Sequence, residues 1–148
     1  MMAPGRPIGR SGVLLLALFV TACEAFGGGE TLVLDSMEVT VPGSVHDIRL
    51  AGAGATDSIT PAAVTASPGD AVRFVAADRR PHAVTFVVDE LSPEIREFLD
   101  RTGQLRGPPL VSEGAAWIVL LEGAPPGSYP FVCRPHDARG ELTVIPDG

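Results

Sequence analysis

A succession of short apolar segments, each closed by turn-forming residues, occupies the chain from Val45 onward and limits what it can become. Residues 45–51 (VHDIRLA) alternate, with Val45, Asp47, Arg49 and Ala51 on one face and His46, Ile48 and Leu50 on the other. Residues 62–67 form a second candidate strand, ended by Pro68-Gly69-Asp70, which is strong turn chemistry. Residues 71–77 (AVRFVAA) and 83–88 (AVTFVV) are rich in valine and phenylalanine, which suit a pleated, half-buried surface. Residues 116–122, 128–133 and 141–145 complete the set, with Pro125-Pro126-Gly127 separating the first two of these. One segment departs from the pattern. Ser92-Pro93-Glu94 opens a helix running to Arg101, with Ser92 as N-cap, Pro93 at the first helical position and Gly103 as the stop. Ile95, Phe98 and Leu99 share one face of it. The expected fold is therefore all-β, a sandwich or Greek-key barrel with one short helical insertion lying across an end or side.

The first 22 residues do not belong to that fold. Arg6 and Arg10 precede the apolar run VLLLALFV (residues 13–20), which is too short for a permanent membrane span of about 20 residues. Val20-Thr21-Ala22-Cys23 resembles the lipobox of bacterial lipoproteins, in which cleavage falls just before a cysteine that then carries lipid. The competing reading is an ordinary secretory leader cut near Ala22, with Cys23 incidental. Both export the protein, to the periplasm or cell surface, and the first holds it to a membrane through Cys23. Residues 23–43 contain Gly27-Gly28-Gly29 and no sustained periodicity, so they read as a flexible tether before a domain spanning 44–148.

With hydrophobic residues at 45% and charged residues at 20%, the chain is not compositionally disordered. Its net charge of −7 lacks the basic footprint needed for nucleic acid, which is excluded as a partner. Two cysteines exclude a disulfide scaffold. If Cys23 is lipidated, Cys133 is a lone thiol in an oxidising compartment, and its surroundings favour a ligand role. Cys133-Arg134-Pro135-His136 sets a thiolate and an imidazole three residues apart, and His82 lies upstream at the start of a strand. Two histidines with one cysteine make the trigonal set of a type 1 copper site, suited to one ion in either oxidation state.

At these residues the chain resembles the cupredoxins, of the plastocyanin, pseudoazurin and amicyanin kind. The resemblance is carried by PAAVTASPGDAVRF (61–74), by Pro81-His82-Ala83-Val84, by PGSYPFVC (126–133) leading into Pro135-His136, and by GELTV (140–144). It covers residues 45–146 and implies a Greek-key β-sandwich with copper held at one end by His82, Cys133 and His136. It also implies single-electron transfer with an unidentified redox partner protein, the His136 ring edge passing the electron at the surface. Residues 91–113, with the helix, would occupy the family's variable insertion. Tyr129, Phe131 and Cys133 share a parity, so an inward Cys133 carries two aromatics into the core.

The pattern is incomplete in two places. The family's axial methionine is missing, since His136 is followed by Asp137-Ala138-Arg139-Gly140-Glu141, and Met37 is the lone methionine beyond the leader. Glu141 is a poor substitute, because Leu142 and Val144 claim the core face and leave Glu141 on the other. The site is then three-coordinate, takes a backbone carbonyl or water, or has lost its metal; loss of the thioether alone would raise the reduction potential. Ala83 also stands where an asparagine often ties the ligand loops together. The competing readings are a buried structural thiol with two unrelated histidines, zinc on the same ligands, and a Cys–His nucleophilic dyad without an acid partner. A copper-binding protein that stores or delivers Cu(I) is the alternative to an electron carrier. No substrate chemistry is signalled, so no enzyme is expected. Arg79, Arg80, Arg134 and Arg139 surround the copper end, either as solvated loop charge or as a positive rim for an anionic partner.

Overall fold

The computed structural model of the protein describes residues 29–34, 37–135 and 137–146. The segment expected to be a leader, Cys23 and His136 lie outside these. Ten strands form a hairpin and two four-stranded sheets. The hairpin joins β1 (Glu30–Leu34) to β2 (Met37–Val41). One sheet has the order β4 (Thr56–Thr60), β3 (Val45–Ala53), β6 (Ala71–Ala76), β8 (Ala116–Leu120). The other runs β5 (Ala63–Ala66), β10 (Ala138–Val144), β9 (Gly127–Arg134), β7 (Ala83–Phe86). The β3–β6 and β5–β10 pairs are parallel and the rest antiparallel, so each sheet joins segments distant in sequence. This is the all-β, Greek-key sandwich that the segment pattern predicts.

Alternation decides which side chains fill the space between the sheets. Ile48 and Leu50 of β3, Phe74 of β6, Phe86 of β7, Tyr129 and Phe131 of β9 and Leu142 of β10 are all fully buried. Each such side chain contributes about 1.5–3 kcal/mol by leaving water. Gly140 on β10 leaves room for the Phe131 ring: a Cβ there would collide with the ring and lie 3.0 Å from the Ala62 carbonyl oxygen. The helix α1 (Pro93–Arg101) begins where its cap requires, with the Ile95 N–H donating to Ser92 Oγ at 3.3 Å. It buries Ile95, Phe98 and Leu99, the face that helical spacing selects.

Two features differ from expectation. Residues 30–34 and 37–41, read from sequence as part of the tether, pair as the β1–β2 hairpin. Leu32 and Val41 bury against Ala71 and Ile118, a tertiary contact that no local periodicity announces. Strand β4 also went unread, because in Thr56–Thr60 only Ile59 is apolar.

Asp70 locks the turn between β5 and β6. Ser67-Pro68-Gly69-Asp70 closes with the Asp70 N–H donating to the Ser67 carbonyl at 3.1 Å and Gly69 at φ +92°. The Asp70 carboxylate accepts from the Ser44 N–H at 2.8 Å, the Ser67 N–H at 2.9 Å and His46 Nε2 at 2.9 Å. Burial raises its pKa, but the hydrogen bonds from Ser67, His46 and Ser44 outweigh that and leave it below its usual value. A lowered folded pKa stabilises the protein above the unfolded value and ceases to do so as pH falls through the folded one. Asp70→Ala should therefore cost about 1–2 kcal/mol at pH 7, and the difference from wild type should shrink below about pH 4. Urea unfolding at pH 7 and pH 3 measures it; an equal gap at both pH values would refute this role for the carboxylate.

Candidate metal centre

The sandwich brings three distant residues together at one end. Cys133 comes from the last turn of β9, His82 from the residue preceding β7, and Asp57 from β4 on the edge of the opposite sheet. Cys133 Sγ lies 3.6 Å from His82 Nδ1, and Asp57 Oδ1 lies 3.8 Å from the same nitrogen. One donor atom from each residue falls within 4.8 Å of the others, and all three residues are buried. A four-coordinate ion with bonds of about 2.0–2.3 Å to N, O and S has donor–donor edges of roughly 3.4–3.6 Å. The two separations from His82 Nδ1 come close to those edges.

His82 is fixed from both sides. Its N–H donates to the Leu110 carbonyl at 2.9 Å and its carbonyl accepts from the Leu110 N–H at 2.8 Å, so the segment after α1 pins its backbone. Its ring Nε2 lies 2.8 Å from Asp78 Oδ1. Asp78 also accepts from the Gly52 N–H at 2.6 Å and the Arg80 N–H at 3.0 Å. The Gly52 amide and the His82 ring hold the Asp78 carboxyl down at about 2. A permanently charged acceptor at Nε2 keeps the proton there and leaves the Nδ1 lone pair facing the thiol.

Burial pushes the Cys133 thiol up to about 12, and the negative charge of Asp57, to which it hydrogen bonds, adds to the rise. A bound cation reverses that balance, because a coordinating thiol gives up its proton to the metal.

Of the residues that sequence reasoning singled out, His82 and Cys133 come together and His136 lies outside the described residues. Cys133 pairs with Ala138, so the chain is back in strand register two residues after His136. That register leaves four residues between the two paired positions. Met37 is 66% exposed on β2 and supplies nothing to the cluster. Glu141 faces away from the core, accepting from Ser128 Oγ at 2.7 Å. His46 pairs with Asp70, a structural role. Three of the four arginines are engaged locally, Arg134 with Asp137 and Arg139 with Glu90, each at 2.7 Å, and Arg80 with the Gly54 carbonyl. Sequence reasoning missed Asp57 and Asp78. Asp78 was within reach, four residues before His82 on the same loop; Asp57 had no local signal.

Two facing β-sheets with a buried thiol and imidazole gathered at one end define a cupredoxin-type metal protein. The sequence profile of the copper binding proteins of the plastocyanin/azurin family matches residues 46–145, and the chain belongs to that family. Copper is accordingly its metal, and the buried donor group fits it. Among solved structures, a purple cupredoxin from Nitrosopumilus maritimus is similar at 19% identity and a TM-score of 0.50, over 68% of this chain and 99% of that one. An oxidized methionine-to-leucine mutant of amicyanin is similar at 24% identity and a TM-score of 0.47, over 66% of this chain and 81% of that one. No curated protein matches the chain by sequence.

Proposed function

We propose that this protein is an exported single-electron carrier, held to a membrane by a lipid on Cys23, whose copper ion is bound by His82, Cys133 and His136. The observation that carries the reading is the buried approach of Cys133 Sγ to His82 Nδ1 at 3.6 Å. A copper ion there supplies a one-electron couple between Cu(I) and Cu(II). The chain supplies the rest. Strand β9 and the Leu110 pairing hold two donors in fixed positions, so little rearrangement accompanies a change of oxidation state. The Asp78 carboxylate keeps His82 in the tautomer that offers Nδ1. Burial of His82 and Cys133 excludes water from the thiolate. The protein acts on no substrate of its own and serves a redox partner protein, with no role for nucleic acid.

The test uses protein solubilised in detergent from cells expressing the full chain and loaded with Cu(II). An intense thiolate-to-copper absorption band is expected, and Cys133→Ser should abolish it. Tight Cu(I) binding without a stable Cu(II) chromophore would reassign the protein to copper storage or delivery. A chain that takes no copper would overturn both readings. Mass spectrometry of the mature N-terminus tests the anchor, and an unmodified Cys23 would remove it.

A further inference from the structure

The fourth donor is the open question at this centre. The thioether that the family resemblance would place after His136 is missing, and the Cys133–Ala138 pairing returns the chain to β10 at once. No thioether follows His136 in that loop, and the Asp137 carboxylate there is engaged by Arg134 at 2.7 Å. A further side-chain ligand then comes from another element.

One element delivers one. The side chains of Asp57 and His82 are both fully buried, and Asp57 presents Oδ1 at 3.8 Å from the His82 nitrogen that faces Cys133. One Asp57 oxygen, the His82 ring nitrogen and the Cys133 sulfur all lie within 4.8 Å of one another. Strand β4 is the edge strand of its sheet, and its alternation turns Asp57 to the same inner face as Ile59. The strand thereby carries a carboxylate to the end of the sandwich that holds His82 and Cys133.

We infer that Asp57 is a carboxylate ligand of the copper ion, standing in for the missing thioether. The inference rests on the copper reading given above. Its chemistry has a direction. Carboxylate is a hard, anionic donor, whereas a thioether is soft and neutral. With the Cys133 thiolate it balances both charges of Cu(II), but it leaves Cu(I) with one negative charge in excess inside a poorly solvated pocket. The site therefore favours the oxidised ion, and its reduction potential is lower than the bare loss of a thioether would give.

The experiment compares wild type with Asp57→Asn and Asp57→Ala, all purified in detergent from cells expressing the full chain. Competition against chelators gives the Cu(II) and Cu(I) dissociation constants separately. Ligation predicts that both substitutions weaken Cu(II) at least tenfold more than Cu(I), with a matching rise in potential and a shifted absorption band. A merely structural carboxylate would weaken both oxidation states alike and leave the band where it was, which overturns the inference. Electron–nuclear double resonance on wild-type Cu(II) protein labelled with 13C at the aspartate carboxyl avoids any question of folding. A strong 13C coupling supports ligation, and its absence overturns it. Should wild type carry copper with a band lost in Cys133→Ser, while the Asp57 ratio stays flat, the ligand assignment alone fails. If wild type takes no copper, the function and the ligand fail together.

Discussion

Phe131→Ala is expected to remove about 3–5 kcal/mol of folding stability, the range for deleting a large aromatic from a core that cannot collapse around the gap. Phe131 is fully buried on β9 and meets Phe74 of the opposite sheet edge-on, with ring centroids 5.0 Å apart and planes at 80°. Phe74 in turn stacks on Trp117 at 5.5 Å, and Phe86 sits 6.3 Å from Phe131. Truncation therefore removes the ring that bridges the two sheets, and the bridge carries edge-to-face interactions beyond simple area burial. Neither side can close the space. On β10 the cross-strand neighbour of Phe131 is Gly140, with the Ala62 carbonyl behind it, and on β7 it is Phe86, already packed against Trp117. For a domain of this size the melting temperature should fall by roughly 10–20 °C. Phe131→Leu, which retains most of the volume, should cost less than half as much. Calorimetry of the metal-free protein decides; a loss under about 1 kcal/mol for Phe131→Ala would mean the ring does not link the sheets.

That core was legible because its signal is local. Period-two alternation orients Ile48, Leu50, Phe74, Phe131 and Leu142 without knowledge of any partner strand, and the structure buries each of them. The helix was legible for the same reason, since Ser92, Pro93 and the Ile95–Phe98–Leu99 face are all written within one segment. What remained unread depends on pairing at long range. Leu32 and Val41 look like isolated apolar residues until Ala71 and Ile118 cover them. Strand β4 is held by pairing with β3, not by its own composition. The candidate metal site divides along the same line. Cys133 and His82 stood out by residue type and by their place before and after strands. Asp57 is one of many acidic residues in an acidic chain, and only the approach of an edge strand from the other sheet distinguishes it.

The second large effect concerns metal affinity rather than folding. Asp78→Ala should weaken copper binding by about 10–100-fold, the usual consequence of removing the acceptor behind a ligating histidine. The mechanism runs through the ring. With Nε2 at 2.8 Å from Asp78 Oδ1, the imidazole has one stable tautomer and one orientation, and Nδ1 is directed at Cys133. Without the carboxylate, both tautomers become accessible and the ring is free to turn about its side-chain bonds, so binding has to fix what was fixed in advance. Asp78→Ala also strips an acceptor from the Gly52 and Arg80 amides, which should cost about 1–2 kcal/mol of stability. That part is structural and needs separating from the effect on the ion. Asp78→Asn does so, because its amide oxygen still accepts one hydrogen bond at the same place while the charge is gone. Its copper affinity should fall between those of wild type and Asp78→Ala. Chelator competition gives the affinities and thermal unfolding of metal-free protein gives the stabilities. If Asp78→Ala loses stability but keeps wild-type affinity within about twofold, then Asp78 braces the loop and does not position His82 for copper.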